Sequence, residues 1–152
     1  MELRLVRLSD PVVAPLLAGL AGEYEERYGP VDEMAQAHAD QFDPPTGAFV
    51  ALLDDGQIVA GGGIRWKEES ICEVKRMWTA PTYRRQGHAA TVLAALEDVA
   101  RQRGYTRVQL ETGPRQPEAI ALYERLGYGR IPAFGCYAEA VGFERLLAPA
   151  DR

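Results

Sequence analysis

Apolar and charged residues alternate at the start of the chain. In "ELRLVRL" (2–8), Leu3 and Leu5 share a face with Arg7, while Arg4, Val6 and Leu8 take the other, which predicts a strand. "SDP" follows, with a cap at Ser9 or Asp10 and Pro11 at the first helical position. Val13, Leu16, Leu17, Leu20 and Tyr24 then recur at helical spacing, which predicts a helix to about Tyr28, where "YGP" breaks it. A short helix is expected over 32–39, and "DPPTG" (43–47) reads as a loop. "AFVALL" (48–53), the turn "DDGQ" and "IVAGGGIRW" (58–66) have the composition of a hairpin. "SICEVKRMWTA" (70–80) is a further strand, long enough to have neighbours on both sides. Ala89, Val92, Leu93, Leu96, Val99 and Ala100 form a helical stripe that stops at Gly104. "RVQLET" (107–112) reads as the next strand. Gln116 and Pro117 open another helix, apolar at Ile120, Leu122, Tyr123 and Leu126 and ended by Gly127. "CYAEAVGFERLL" (136–147) is expected to be the last strand. The whole describes one α+β domain, residues 1–152, built on a mixed sheet.

Composition narrows the class. A chain of 152 residues that is 47% hydrophobic can build one core, and its 26% charged residues are ordinary for a globular protein. The net charge of −5 argues against nonspecific nucleic-acid binding. Two cysteines, Cys72 and Cys136, make neither a disulfide framework nor a zinc site. No signal-peptide core and no run of 18 apolar residues is present. The expectation is a cytoplasmic protein with no membrane or nucleic-acid partner.

The start of the helix near residue 88 is chemically odd. Helices usually open on Ser, Thr, Asp or Asn and carry acidic residues in the first turn. Here "YRRQGHAA" (83–90) offers two arginines, a glycine and two alanines. A glycine turn after a strand leaves backbone N–H groups unpaired and aligned with the helix dipole, which makes an anion site suited to phosphate. Gly87 would let a ligand approach the backbone, Ala89 keeps the next position small, and Arg84 and Arg85 would bond phosphate oxygens. Read by themselves, the two arginines are equally solvated surface charges. There is neither a Gly-Lys-Ser/Thr run nor a three-glycine dinucleotide fingerprint.

Two stretches resemble one family. "RRQGHA" (84–89), preceded by "KRMWTAPTY", is similar to the R/Q-x-x-G-x-G/A acetyl-CoA signature of the GNAT superfamily of N-acetyltransferases. "AIALYERLGY" (119–128) is similar to that family's A-x-x-L-Y-x-x-x-G-F/Y element. The order and separation fit, with a strand between. The resemblance implies a mixed, mostly antiparallel central sheet flanked by helices, with splayed strands forming an acetyl-CoA slot. It implies that amides from about Gln86 through Gly87 and His88 to Ala89, with Arg84 and Arg85, hold the pyrophosphate. The strand edge at Met77, Trp78 and Thr79 would pair with the pantetheine amides, an amide near Trp78 would face the thioester carbonyl, and the Trp78 side chain would serve packing.

The same resemblance implies direct acetyl transfer from acetyl-CoA, with no metal, to a primary amine of a small molecule. Acetylation of a protein or peptide, or a non-catalytic acyl-CoA-binding module, remain the alternative readings. Tyr123 stands where the family keeps a phenol near the CoA sulfur and is the expected acid. Glu73 is the expected base, or else the partner of Lys75 or Arg76 in a structural ion pair, or a solvated charge on the strand edge. His88 and His38 are weaker candidates. Where relatives carry Asn before the second element, this chain has Gln116, a departure that leaves its contact to the cofactor open. The acceptor is expected at the end of the first helix, the loop to "DPPTG" and the tail after Gly127. Tyr24 and Tyr28 with their glutamate neighbours read first as a solvated helix face with a tyrosine stripe and otherwise suit a cationic amine, while Arg65 suits a substrate carboxylate. The resemblance also leaves room for a homodimer.

Overall fold

A computed structural model describes residues 1–28, 39–135 and 139–149. His38, Cys136, most of the helix expected over 32–39, and the side chains of Tyr24 and Tyr28 lie outside what is described. Strand β1 (Glu2–Val6) leads through a 3-10 turn (Pro11–Val13), capped by Asp10, into helix α1 (Ala14–Tyr28). The hairpin is β2 (Ala48–Asp54) and β3 (Gln57–Glu68), joined through Asp55 and Gly56, both with positive φ as a tight two-residue turn requires. Strand β4 (Ile71–Thr79), helix α2 (His88–Gln102), strand β5 (Arg107–Thr112) and helix α3 (Pro117–Arg125) follow. The chain closes with β6 (Gly129–Ile131) and β7 (Val141–Leu146).

These strands form one seven-stranded sheet in the order β1-β2-β3-β4-β5-β7-β6, antiparallel except for β4 beside β5. Side chains alternate between the two faces, so each face has its own core. On one face Val50, Leu52, Ile64 and Val74 pack with Val92, Leu93 and Leu96 of α2. On the other Phe49, Ala51, Leu53 and Trp78 pack with Val13, Leu16 and Leu20.

One expectation changes. The last strand is shorter than 136–147: it starts at Val141, and β6 precedes it, a three-residue strand too brief to show periodicity. In β1 the face with Leu3 and Leu5 stays exposed, at 45% and 58%. Those residues lie opposite Leu52 and Val50, on the α2 face of the edge strand.

The Gly61-Gly62-Gly63 run in β3 is a packing requirement. A Cβ on Gly61 would lie 2.8 Å from Leu16, on Gly62 2.3 Å from the Met77 sulfur, and on Gly63 2.6 Å from the Phe42 ring. A related contact sets α1 against β4: a Cβ on Gly19 would fall 2.4 Å from the Trp78 indole nitrogen. Alanine normally improves a helix interior by about 1 kcal/mol over glycine. At Gly19 the sign should reverse, because a buried indole cannot yield and overpacking costs about 1–3 kcal/mol. Gly19→Ala should therefore lower the melting temperature by a few degrees, on the order of 2–4 °C per kcal/mol for a chain of this size. A rise in the melting temperature would show that α1 is not seated on Trp78.

Candidate active site

The cleft originates in a mismatch between strands. Strands β4 and β5 pair only at Ile71–Arg107, Cys72–Val108 and Glu73–Gln109. Beyond Glu73 they diverge. At the same point the β3–β4 register slips between Gly61–Trp78 and Gly63–Lys75, and Arg76 takes a φ of 62°. This is a bulge: an extra residue in β4 bends the strand and turns it away from its neighbour. The resulting cleft has a volume of about 1410 Å³ and runs along β4, with α3 and the β6–β7 loop across from it.

The glycine turn stands at one end. Gly87 has φ 83° and ψ 8°, a left-handed conformation that favours glycine. A Cβ there would meet nothing within 4 Å, so the backbone is open on that side. Helix α2 has no side-chain cap and no acidic residue in its first turn, and its first internal hydrogen bond runs from Thr91 N–H to the Gly87 carbonyl. The amides ahead of Thr91 therefore have no partner within the helix.

The two arginines differ. Arg84 donates from Nε to the Thr79 carbonyl at 2.9 Å and pairs with Glu23 of α1, so it ties the turn to β4 and α1. Arg85 is exposed, has φ 64° and lines the cleft. Gln86 Oε1 accepts from His88 Nε2 at 3.3 Å, and Gln86 Nε2 donates to the Thr82 carbonyl at 3.4 Å. Ala89 also lines the cleft.

Along the slot, strand parity decides which backbone groups are presented. Ala80 N–H donates to the Val59 carbonyl, so by two-residue alternation the Trp78 amide also turns to β3. Thr79 turns the other way, where Arg84 reaches its carbonyl. The expected amide near Trp78 is thus turned away from the slot, and Thr79 presents the backbone there. The Trp78 side chain belongs to the α1 core, 9% exposed, and its Nε1 has no hydrogen-bond partner among the described residues. The Met77 sulfur covers Gly62. Gln116 precedes α3 without capping it: its side-chain carbonyl accepts from Gly113 N–H at 2.9 Å and Thr112 Oγ1 at 3.0 Å, closing the turn after β5.

Tyr123 and Glu73 both line the cleft. Tyr123 is 6% exposed, its ring 5.8 Å from that of Tyr128 and 5.7 Å from that of Phe143. Tyr128 is itself held by its hydroxyl, which donates to Glu97 Oε2 at 2.6 Å, and Arg145 reaches both Glu97 oxygens at 3.2 Å. Burial first, then that hydrogen bond, pushes the Tyr128 phenol well above its ordinary value, so it stays neutral.

Glu73 is 6% exposed. Its main partner is neither Lys75 nor Arg76 but Arg65, directly across on β3, which donates from Nε at 3.0 Å and Nη2 at 2.9 Å to the same oxygen, Oε1. Lys75 stands 4.0 Å from Oε2. Eight residues separate Arg65 from Glu73, and only the hairpin register brings them together. Lys67, Glu111 and Phe134, which also line the cleft, carried no signal in the sequence. Glu111 accepts the amides of Phe134 and Gly135 at 2.8 and 3.1 Å and so sets the β6–β7 loop.

The chain matches the Acetyltransferase (GNAT) family over residues 16–128. It is 32% identical to the uncharacterized N-acetyltransferase YjgM of Escherichia coli, over 88% of this chain and 84% of that one. Among solved structures it resembles a Klebsiella pneumoniae protein assigned to the acyl-CoA N-acyltransferases, with 32% identity, a TM-score of 0.79 and 97% of each chain covered. A PaiA N-acetyltransferase of Thermoplasma acidophilum, solved in complex with coenzyme A, shares the fold at 13% identity and a TM-score of 0.72, over 96% of this chain and 99% of that one.

Proposed function

Because the chain belongs to the GNAT family of acetyltransferases, we propose that it moves the acetyl group of acetyl-CoA directly to a primary amine of a small molecule, with both bound together in the cleft. The observation that carries this reading is continuity: one cavity joins the Gly87 turn, the β4 edge, Tyr123 and Glu73. The uncapped first turn of α2 and the open face at Gly87 fit a pyrophosphate, since aligned N–H groups and the helix dipole both favour an anion there. Arg85 adds charge at that end, with Gln86, His88 and Ala89 around the turn. The Thr79 backbone and Met77 offer an extended edge to the amides of the pantetheine arm.

Acetyl-CoA supplies the activated acyl group as a thioester. The Tyr123 hydroxyl holds the proton that the departing thiolate takes up. Glu73 Oε2, the oxygen Arg65 leaves unused, accepts the proton of the amine directly or through one water. Arg65 keeps that carboxylate in one orientation. Burial of the Cys72 thiol, which pushes its pKa up to about 12, argues against an acyl-enzyme there.

Thiol release from acetyl-CoA across amines, amino acids and peptides tests the activity. Release with small amines supports the proposal, release with peptides alone moves the acceptor class, and binding without release leaves a sensor. The phosphate turn has its own test. Acetyl-CoA at about 100 times its dissociation constant should stabilise the folded chain by about 2.7 kcal/mol and raise its melting temperature accordingly. Gly87→Glu should abolish that shift, because it sets a carboxylate where the phosphate belongs. Gly87→Ala carries the same left-handed strain without the charge and should keep most of the shift. An undiminished shift in Gly87→Glu would remove the turn from the binding site.

A further inference from the structure

We infer that the acceptor amine carries a carboxylate, gripped by Lys67 and Arg65 at the Glu73 end of the cleft. The inference rests on the acetyltransferase reading above. The Gly87 turn follows the C-terminal end of β4, while Glu73 and Arg65 stand near its N-terminal end. There the β3–β4 wall presents Arg65, Lys67, Lys75 and Arg76 to the cleft, with Glu73 the one carboxylate among them. Glu111 and Glu139 lie across, and Glu111 Oε2 is committed to the loop amides.

Two of the cations are held in place yet retain donors. Arg65 has five N–H groups: Nε and Nη2 each give one to Glu73, and Nη1 gives one to Gln41 Oε1 at 2.8 Å, so two remain. Lys67 donates to Gln109 Oε1 and lies 3.4 Å over the centre of the Phe134 ring, leaving two of its three donors. Gln109 is itself fixed, since its amide donates to Glu144 Oε1 at 2.8 Å, which turns its carbonyl to Lys67. The row Arg65–Glu73–Gln109–Glu144 thus crosses four strands in register and orders both heads.

A carboxylate takes charge-assisted bonds from both. A second hollow of about 480 Å³, lined by the same Arg65, Lys67 and Glu73 with Gln41, Thr46 and the half-exposed Trp66, gives room for the rest of such a molecule. The cations also disfavour the ammonium form of the incoming amine, so more of it is the nucleophilic free base.

The test sets each proteinogenic amino acid beside the amine left by its decarboxylation and compares kcat/KM with acetyl-CoA. The best amino acid should exceed its amine by about tenfold or more, the scale of one charge-assisted hydrogen bond. Lys67→Met should raise KM for that amino acid and erase the preference, and Lys67→Arg, which keeps the charge, should retain it. Lys67 is the informative position because changing Arg65 would also release Glu73. Equal or better turnover of the decarboxylated amines overturns the inference and leaves the acetyltransferase reading intact. Calorimetry of the N-acetyl derivatives of the same amino acids, with CoA present, reads the site without turnover. Binding that Lys67→Met abolishes supports the carboxylate site even if no amine is acetylated, in which case it is the catalytic reading that fails. No binding by any of them, or binding indifferent to Lys67→Met, overturns the inference.

Discussion

Tyr123→Phe should reduce turnover by on the order of 10²-fold or more while folding and acetyl-CoA binding persist. The substitution removes one oxygen and keeps the ring between Tyr128 and Phe143, so the packing of α3 on β7 is retained. In the proposed mechanism the departing thiolate then receives no positioned proton. The loss should therefore appear in kcat and equally in kcat/KM, as expected for an interaction made only in the transition state. A change confined to KM would make Tyr123 a shaping residue. Undiminished turnover with the acceptor would mean the thiolate leaves unaided and would end the assignment of the acid.

Glu73→Gln should be comparably severe at neutral pH, where most of the amine arrives protonated. Unperturbed α-amino groups titrate near 7.7–8.0 and lysine-like amines near 10.4, so at pH 7 a base must remove the proton. The expected drop is about 10²-fold at pH 7, diminishing as the pH rises through the pKa of the acceptor, because the free base then forms without help. Glutamine retains a carbonyl to accept from Arg65, so the β3–β4 pairing should survive. An equal loss at every pH would identify Glu73 as the anchor of Arg65, a positioning residue. A parallel loss of acetyl-CoA affinity would point to a collapsed slot.

Much of the site was legible because local chemistry writes itself into short stretches. A helix that opens on Arg84-Arg85-Gln86-Gly87, without a cap, violates the ordinary rule for helix starts, and that violation marked the turn proposed to hold the pyrophosphate. The Tyr123 element was legible for a similar reason, since it lies within nine residues of one helix and its glycine stop. What Arg84 does was not. Its side chain reaches Glu23, sixty-one residues away, and no local pattern distinguishes it from Arg85.

By itself the sequence determined, β6 and residues 32–38 apart, the alternation of strands and helices, together with the hairpin turn at "DDGQ", the stripe that seats α2, and the family. These depend on periodicity, on turn residues with positive φ, and on contiguous motifs, all of which act over a few residues. The tertiary structure alone decided the rest. The bulge at Arg76 shifts strand parity so that Thr79, not Trp78, presents its backbone to the slot. The three glycines of β3 are set by Leu16, Met77 and Phe42, which come from other elements. Glu73 is bound to Arg65 rather than to its chain neighbours, and Lys67 is aimed by Gln109, because inter-strand register brings distant residues to one face. Register arises from the fit of two whole strands, and a shift of one residue would send every one of these side chains to the opposite face.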